Sequence, residues 1–319
     1  MDVEPILSVI VPMYNGGKTI ARCLECILNQ SIKNIQIIVV DDASDDDGVE
    51  IVKGYIEKKS NIKLVSHDVR MGPGGARNTG LKYACTEYVA FLDCDDWIDL
   101  CAYQLIIEDM EKNKTDIGLC GIKTERELVE QSQIRYSYKR HNILNADTAL
   151  HLHAREFQSD SSISSLLGNK IFRRTKGFAE CQFVNECCFE DDIFVFETFL
   201  ASSYVSVIPD VYHYYYQRSS SITHNFGKRH IESLVSAFSY LKNRLEERNL
   251  FLKYENLFYL LFKRAIAFML NSLKNSFSNE DTQRRYLFYL YDKLKASFSM
   301  KKIVNYIDIE QIRNLFPYK

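Results

Sequence analysis

No uninterrupted apolar run in this 319-residue chain approaches the roughly 18 residues needed to span a bilayer. The longest candidate, residues 257–270, is broken by Lys263 and Arg264. The N-terminus carries Asp2 and Glu4 and no basic segment ahead of an apolar one, so no secretory leader is expected. These absences predict a cytoplasmic protein. A disulfide framework is missing too. There are nine cysteines, an odd number at scattered spacings. Cys23-x-x-Cys26 has metal or redox spacing but lacks a second such pair, and it falls in a helical pattern. It reads as two half-buried thiols, as does the Cys187–Cys188 doublet. No repeat and no long low-complexity segment occurs. The glycine-rich stretch at 72–75 is not followed by Gly-Lys-Ser/Thr, and no G-x-G-x-x-G follows the first strand, which excludes both common nucleotide loops.

What is present is a core-forming chain with 46% hydrophobic residues and a net charge of −2. The charge is unevenly placed. From Phe226 onward there are 17 Lys+Arg against 9 Asp+Glu, and the first 225 residues hold 23 against 33. An acidic front suits a cation, and a basic tail suits an anionic surface. No feature points to nucleic acid.

The front of the chain alternates strand and helix patterns. Ile6–Pro12, Ile35–Val40, Ile62–Val65 and Tyr88–Leu92 are short, apolar and β-branched, as buried strands are. Helical patterns lie between them, around residues 20–28, around 48–59 and from about Ala76 after a loop at 72–75. This order predicts an α/β fold with a mostly parallel sheet flanked by helices. Ligands bind such sheets beyond the carboxyl ends of the strands. The polar clusters fall there: Tyr14-Asn15, Asp41-Asp42 and Asp93 to Asp96. Further on, 117–120, 169–172, 204–208 and 212–216 read as strands, 189–200 as a helix, and the chain from Lys228 as mostly helical.

Four clusters could carry chemistry. Asp93, Asp95 and Asp96 crowd a strand end, where repulsion would be relieved by a hard divalent cation such as Mg²⁺ or Mn²⁺. They equally suit a helix cap. Asp42 could recognise a base or ribose, or only shape a turn. The loop at 72–75 could let backbone approach phosphate, with Arg77 adding charge. Glu190, Asp191 and Asp192 open a helix, whose N-terminus favours ionised carboxylates. Such a group could act as general base or merely cap the helix.

Taken in order, Ser8–Asn15, Ile37–Ser44, Gly75–Gly80, Phe91–Trp97 and Phe189–Phe194 resemble the family 2 glycosyltransferases with the GT-A fold, over residues 5–225. Tyr214–Arg218 and Ser221–Thr223 resemble a segment of many bacterial members. The resemblance implies a GT-A catalytic domain at 1–225, with a nucleotide-sugar half (1–100) and an acceptor half (101–225), then a helical region at 226–319. It implies nucleotide-sugar contacts from Pro12, Tyr14, Asn15, Asp42, Arg77, Asp93, Asp95, Asp96 and Arg218. It places Mn²⁺ or Mg²⁺ on Asp95 and Asp93, and Asp191 as catalytic base of an inverting transfer. The donor would be a UDP-sugar, and the acceptor a glycan or lipid-linked sugar in bacterial surface polysaccharide synthesis. Arg218 and Ser221 would close over the diphosphate, with Tyr216 where a second Arg is common, and His213 is a candidate helper. A non-catalytic nucleotide-sugar binder and a nucleotidyltransferase are the rival classes. The basic, aromatic tail reads either as a helical cap on the catalytic domain, with a homodimer as one form of it, or as a peripheral contact with an anionic membrane.

Overall fold

A computed structural model describes residues 4–126, 129–155, 162–185, 188–217, 226–299 and 302. In chain order the elements are β1 (Leu7–Met13), α1 (Ile20–Leu28), β2 (Ile35–Asp41), α2 (Gly48–Ile56), β3 (Ile62–Ser66), α3 (Gly72–Tyr83), β4 (Tyr88–Phe91), β5 (Trp97–Ile98), α4 (Ala102–Asn113) and β6 (Ile117–Arg126). There follow β7 (Val129–Tyr136), β8 (Asn142–Asn145), α5 (Ala146–Ala154), β9 (Lys170–Arg173), α6 (Lys176–Ala179), α7 (Glu190–Leu200), β10 (Tyr204–Gln217), α8 (Lys228–Glu247), α9 (Phe251–Ser276) and α10 (Glu280–Ser297).

All of these strands form one sheet in the order β3-β2-β1-β4-β9-β6-β10-β5, with β7 beside β6 and β8 beside β10. The first four strands are parallel, as their unbroken apolar runs predict. β9 is inserted antiparallel between β4 and β6. The aromatic strand is parallel to β6 and joins the two segments read from the sequence into one, with an irregularity between Val207 and Tyr212. Pro12 lies inside β1, at a level where the strand pairs with β2 and has already passed the end of its pairing with β4. Its missing N–H therefore removes no bond to β4.

Alternate residues of the parallel strands feed two cores. Val9, Val11, Ile37 and Val39 pack with α1 and α4 on one face. Ile10, Ile38 and Val40 belong to the other, larger core. That core continues through Phe194 and Phe196 of α7 into Phe238 of α8, Phe258 and Phe262 of α9 and Leu290 of α10. The aromatic stripe at 257–262 is thus largely core: Leu257, Phe258, Tyr259, Leu261 and Phe262 are buried. No helix among the described residues is long and apolar enough to cross a membrane.

The glycine-rich stretch corrects one expectation. Residues 72–75 are not a loop but the first turn of α3. A Cβ on Gly74 would lie 2.6 Å from the Val184 carbonyl oxygen, and one on Gly80 would lie 2.3 Å from Ile10 Cγ2. These glycines let α3 lie directly on β1 and on the 183–185 segment. Gly72 also holds a positive φ of 75°, open to glycine at little cost.

Candidate functional site

The carboxyl ends of β1, β2 and β4 carry the predicted residues. Tyr14 follows β1, and the Arg70 guanidinium lies 3.7 Å from its ring centroid. Asn15, at a φ of 50°, donates its N–H to Ser44 Oγ (2.9 Å) and accepts from the Asp45 N–H (2.9 Å), which pins the loop after β1 to the loop after β2. Asp42 is buried. Its Oδ1 meets His67 Nδ1 at 2.8 Å and accepts the Met71 N–H at 2.7 Å, and its Oδ2 accepts the Gly72 N–H at 2.8 Å. The start of α3, offered by the sequence as a place for a substrate phosphate, is therefore already bonded to a carboxylate of the chain itself. Tyr14 and Asp42 converge on one segment, 70–72.

Arg77 is engaged by carboxylates of the chain itself. It sits within α3, as a helix from about Ala76 implies, and it is buried. One guanidinium nitrogen donates to Asp93 Oδ1 (2.8 Å), and the other donates to Asp191 Oδ1 (2.8 Å) and Glu190 Oε1 (3.2 Å). Burial by itself would lower its pKa, but Asp191, Asp93 and Glu190 raise it, so it is a fixed cation. Asp93, at the end of β4, and Asp191, in the first turn of α7, are thereby joined through one side chain. Burial pushes the Asp191 carboxyl well above the usual carboxylate range, with Arg77 pulling it back. Its side chain keeps 25% exposure, against 8% for Glu190.

The three aspartates after β4 have separate fates. Asp93 is partly exposed beside Arg77. Asp95 is half-buried, and its carbonyl accepts from Arg22, whose guanidinium lies 4.0 Å from the Trp97 ring centroid. Asp96, expected at the metal or the sugar, is buried and turned into the sheet. Its Oδ2 meets His213 Nε2 at 2.8 Å and its Oδ1 accepts the Tyr216 N–H at 2.9 Å. Burial raises its pKa to about 6, against the pull of His213. His213, the candidate helper, is buried. Arg218 and Ser221 lie outside the described residues, as does Cys187. Cys23 is buried and Cys26 half-buried on α1, with Cys26 Sγ donating to the Ile98 carbonyl at 3.2 Å.

No group of three or more His, Cys, Asp or Glu side chains is arranged to hold a metal among the described residues. Asp93 and Asp95 nonetheless offer hard oxygen donors on one strand end, and a metal that shares its site with substrate phosphates needs only one or two protein carboxylates. The residues present fit a cation that arrives with a diphosphate.

Two residues were missed. Arg264, read only as a break in an apolar run, is buried on α9. It donates to Asp192, to Ser165 Oγ (3.1 Å) and to the His153 carbonyl. It ties the C-terminal helices to the turn that carries Asp191. Lys170 is buried on β9 and donates to the Ser164 and Leu166 carbonyls (2.7 and 2.6 Å) and to Asn169 Oδ1 (2.8 Å). Burial lowers its pKa to about 7. The sequence signal available for both was a basic residue inside an apolar segment.

Comparison with known proteins agrees with this geometry. The family model described as glycosyl transferase family 2 matches residues 8–161. EpsJ of Bacillus subtilis is 38% identical over 117 residues, which are 37% of this chain and 34% of that protein. The match thus spans about a third of that relative's length. Glycosyltransferase GlyG of Streptococcus pneumoniae is 26% identical over 240 residues, 74% of this chain and 79% of GlyG. The crystal structure of a fragment of S. aureus TarS in complex with UDP-GlcNAc superposes with a TM-score of 0.71 at 20% identity, covering 97% of this chain and 88% of that one, which establishes the shared GT-A fold. The motif order, the sheet topology and these relatives agree in likening residues 8–161 to glycosyl transferase family 2.

Proposed function

We propose that the protein transfers a sugar from a UDP-sugar, with inversion, to a hydroxyl of a glycan or lipid-linked acceptor in bacterial surface polysaccharide synthesis. The observation that carries this reading is the single buried guanidinium of Arg77 between Asp93 and Asp191. It sets a strand-end carboxylate of the donor half beside the one carboxylate of the Glu190–Asp192 turn that suits a base. Glu190 is buried against Arg77, and Asp192 is engaged by Arg264 and Ser165. Asp191 keeps a quarter of its side chain exposed. As base, Asp191 would take the proton of the acceptor hydroxyl while that oxygen attacks the anomeric carbon.

On the donor side, Tyr14 would stack on the base, and Pro12 and Asn15 would shape the loop beneath it. Asp42 would face the base or ribose. Asp96 would act indirectly, by holding β10 through His213 and Tyr216. Arg218 is carried into the donor site by the family resemblance alone. When bound, Mn²⁺ or Mg²⁺ would be held by Asp95 and Asp93 and would neutralise charge on the departing diphosphate. Arg77 would hold the Asp93 and Asp191 side chains in place, its charge opposing the burial that raises the Asp191 pKa. The setting would be the cytoplasm. Peripheral attachment to a membrane is supported only by Phe288 and Tyr291, exposed on α10 near Arg284 and Arg285.

Calorimetric titration of UDP with and without Mn²⁺, in the wild type and in Asp95→Asn, tests the donor site. Metal should strengthen binding in the wild type alone. Product analysis tests the reaction class: release of UDP fits transfer, release of pyrophosphate would replace it with nucleotidyl transfer, and release of neither would leave a binding protein.

A further inference from the structure

A cavity of about 380 Å³ opens beside Asp191, within the ~300–1,000 Å³ typical of small-molecule sites. Asp191 is part of its wall, and among the described residues none of the aspartates at 93–96 is. Tyr215 and Gln217 of β10 form one side. The opposite side is α9, through Phe268, Ser272 and Asn275. These three residues and Arg264 are spaced four, four and three apart, which puts them on one helix face. The neighbouring face, with Ile266, Met269 and Leu273, is buried in the core. The cavity face of α9 is therefore a built surface, held in place by the core on its other side.

Its chemistry is specific. Phe268 is 47% exposed on a helix whose other phenylalanines in the 257–262 stripe are buried. Phe189 meets its ring edge-on, with centroids 6.5 Å apart at 89°, which supports the ring from one side. Ser272, Asn275 and Gln217 supply hydroxyl and amide groups that both donate and accept. Arg264 on the floor is matched by Asp192. Arg135 also lines the cavity, its guanidinium 5.5 Å from the Tyr215 ring centroid. An apolar ring face flanked by neutral two-way hydrogen-bonding groups suits a pyranose, which has a flat C–H face and a rim of hydroxyls.

We propose that α9 of the C-terminal helical region, with β10, forms the acceptor subsite, and that its occupant is an uncharged sugar ring stacked on Phe268. The proposal rests on the glycosyltransferase reading above. In the step it serves, the acceptor oxygen bonds to the anomeric carbon, the bond from that carbon to the diphosphate breaks, and UDP leaves with the electron pair. The hydroxyl proton passes to Asp191. The C-terminal helices are then part of the substrate-binding surface and not only a cap.

The test uses the full chain and the methyl β-glycosides of glucose, galactose and their N-acetylated forms. Saturation-transfer NMR, recorded without nucleotide, should show transfer to ring protons of at least one glycoside. Transfer should fall at least about five-fold in Phe268→Ala, which removes the platform, and in Ser272→Trp, which fills the cavity. Inorganic phosphate should not displace the glycoside. Undiminished transfer in both variants overturns the subsite, as does displacement by phosphate or the absence of transfer in the wild type. Should one variant fail to fold by circular dichroism, the other decides. UDP titration is read separately: a wild type that ignores UDP overturns the donor reading, whatever the glycosides do.

Discussion

The two sides of the site are built in opposite ways. On the proposed donor side, Tyr14, Asp42 and Asp93 each sit within two residues of a strand's carboxyl end, and three adjacent parallel strands bring them together. On the proposed acceptor side, the wall comes from β10, the 164–166 segment, the start of α7 and the middle of α9. The first arrangement follows from strand order, because a parallel sheet collects its strand ends along one edge. The second depends on side chains far apart in sequence that only packing brings together. Arg77 and Arg264 join the halves, each a buried cation on a helix reaching carboxylates of the α7 turn.

The largest expected effect separates chemistry from donor binding. Asp191→Asn should lower the transfer rate by about 10²–10⁴, with UDP affinity nearly unchanged by calorimetry. A retained rate would move the base to Glu190 or Asp192. Next, Arg264→Leu breaks a buried ion pair and should destabilise the protein by about 3–5 kcal/mol in denaturant unfolding. Unchanged stability would show that the C-terminal helices are not tied to α7 through this residue.

On the donor side the comparison can be broken by packing alone. Gly80→Ala places a methyl against Ile10 and should cost about 1–3 kcal/mol, with Arg77 displaced and transfer reduced in proportion. The smallest effect is on the pH profile. A base must be ionised, so activity should fall as pH drops through the Asp191 pKa. Because burial raises that pKa, the acidic limb should lie above the ordinary Asp value of about 3.9. A limb at the ordinary value would mean that the Arg77 charge outweighs burial.

Most of the parallel half was legible. Its strands alternate helix and strand periodicity, and each polar cluster follows its own strand directly, so local pattern carries the information. The glycines of α3 misled for a physical reason. Glycine reads as loop because it is a poor helix former, but at Gly74 and Gly80 the demand is for contact without a Cβ. Asp96 misled because three neighbouring carboxylates look equivalent in sequence. Only the register of β5 on β10 brings Asp96 against His213.

The sequence by itself determined the parallel α/β half, the carboxylates at its strand ends, the resemblance to a family and the helical character of the tail. These depend on periodicity and order along the chain. Tertiary structure alone decided that Arg77 joins Asp93 to Asp191, that Arg264 pairs with Asp192, that Asp96 is withdrawn from the site and that α9 walls the cavity beside Asp191. Each is a contact between distant segments, fixed by how helices pack on the sheet, and a buried charge finds its partner only once that packing has excluded water.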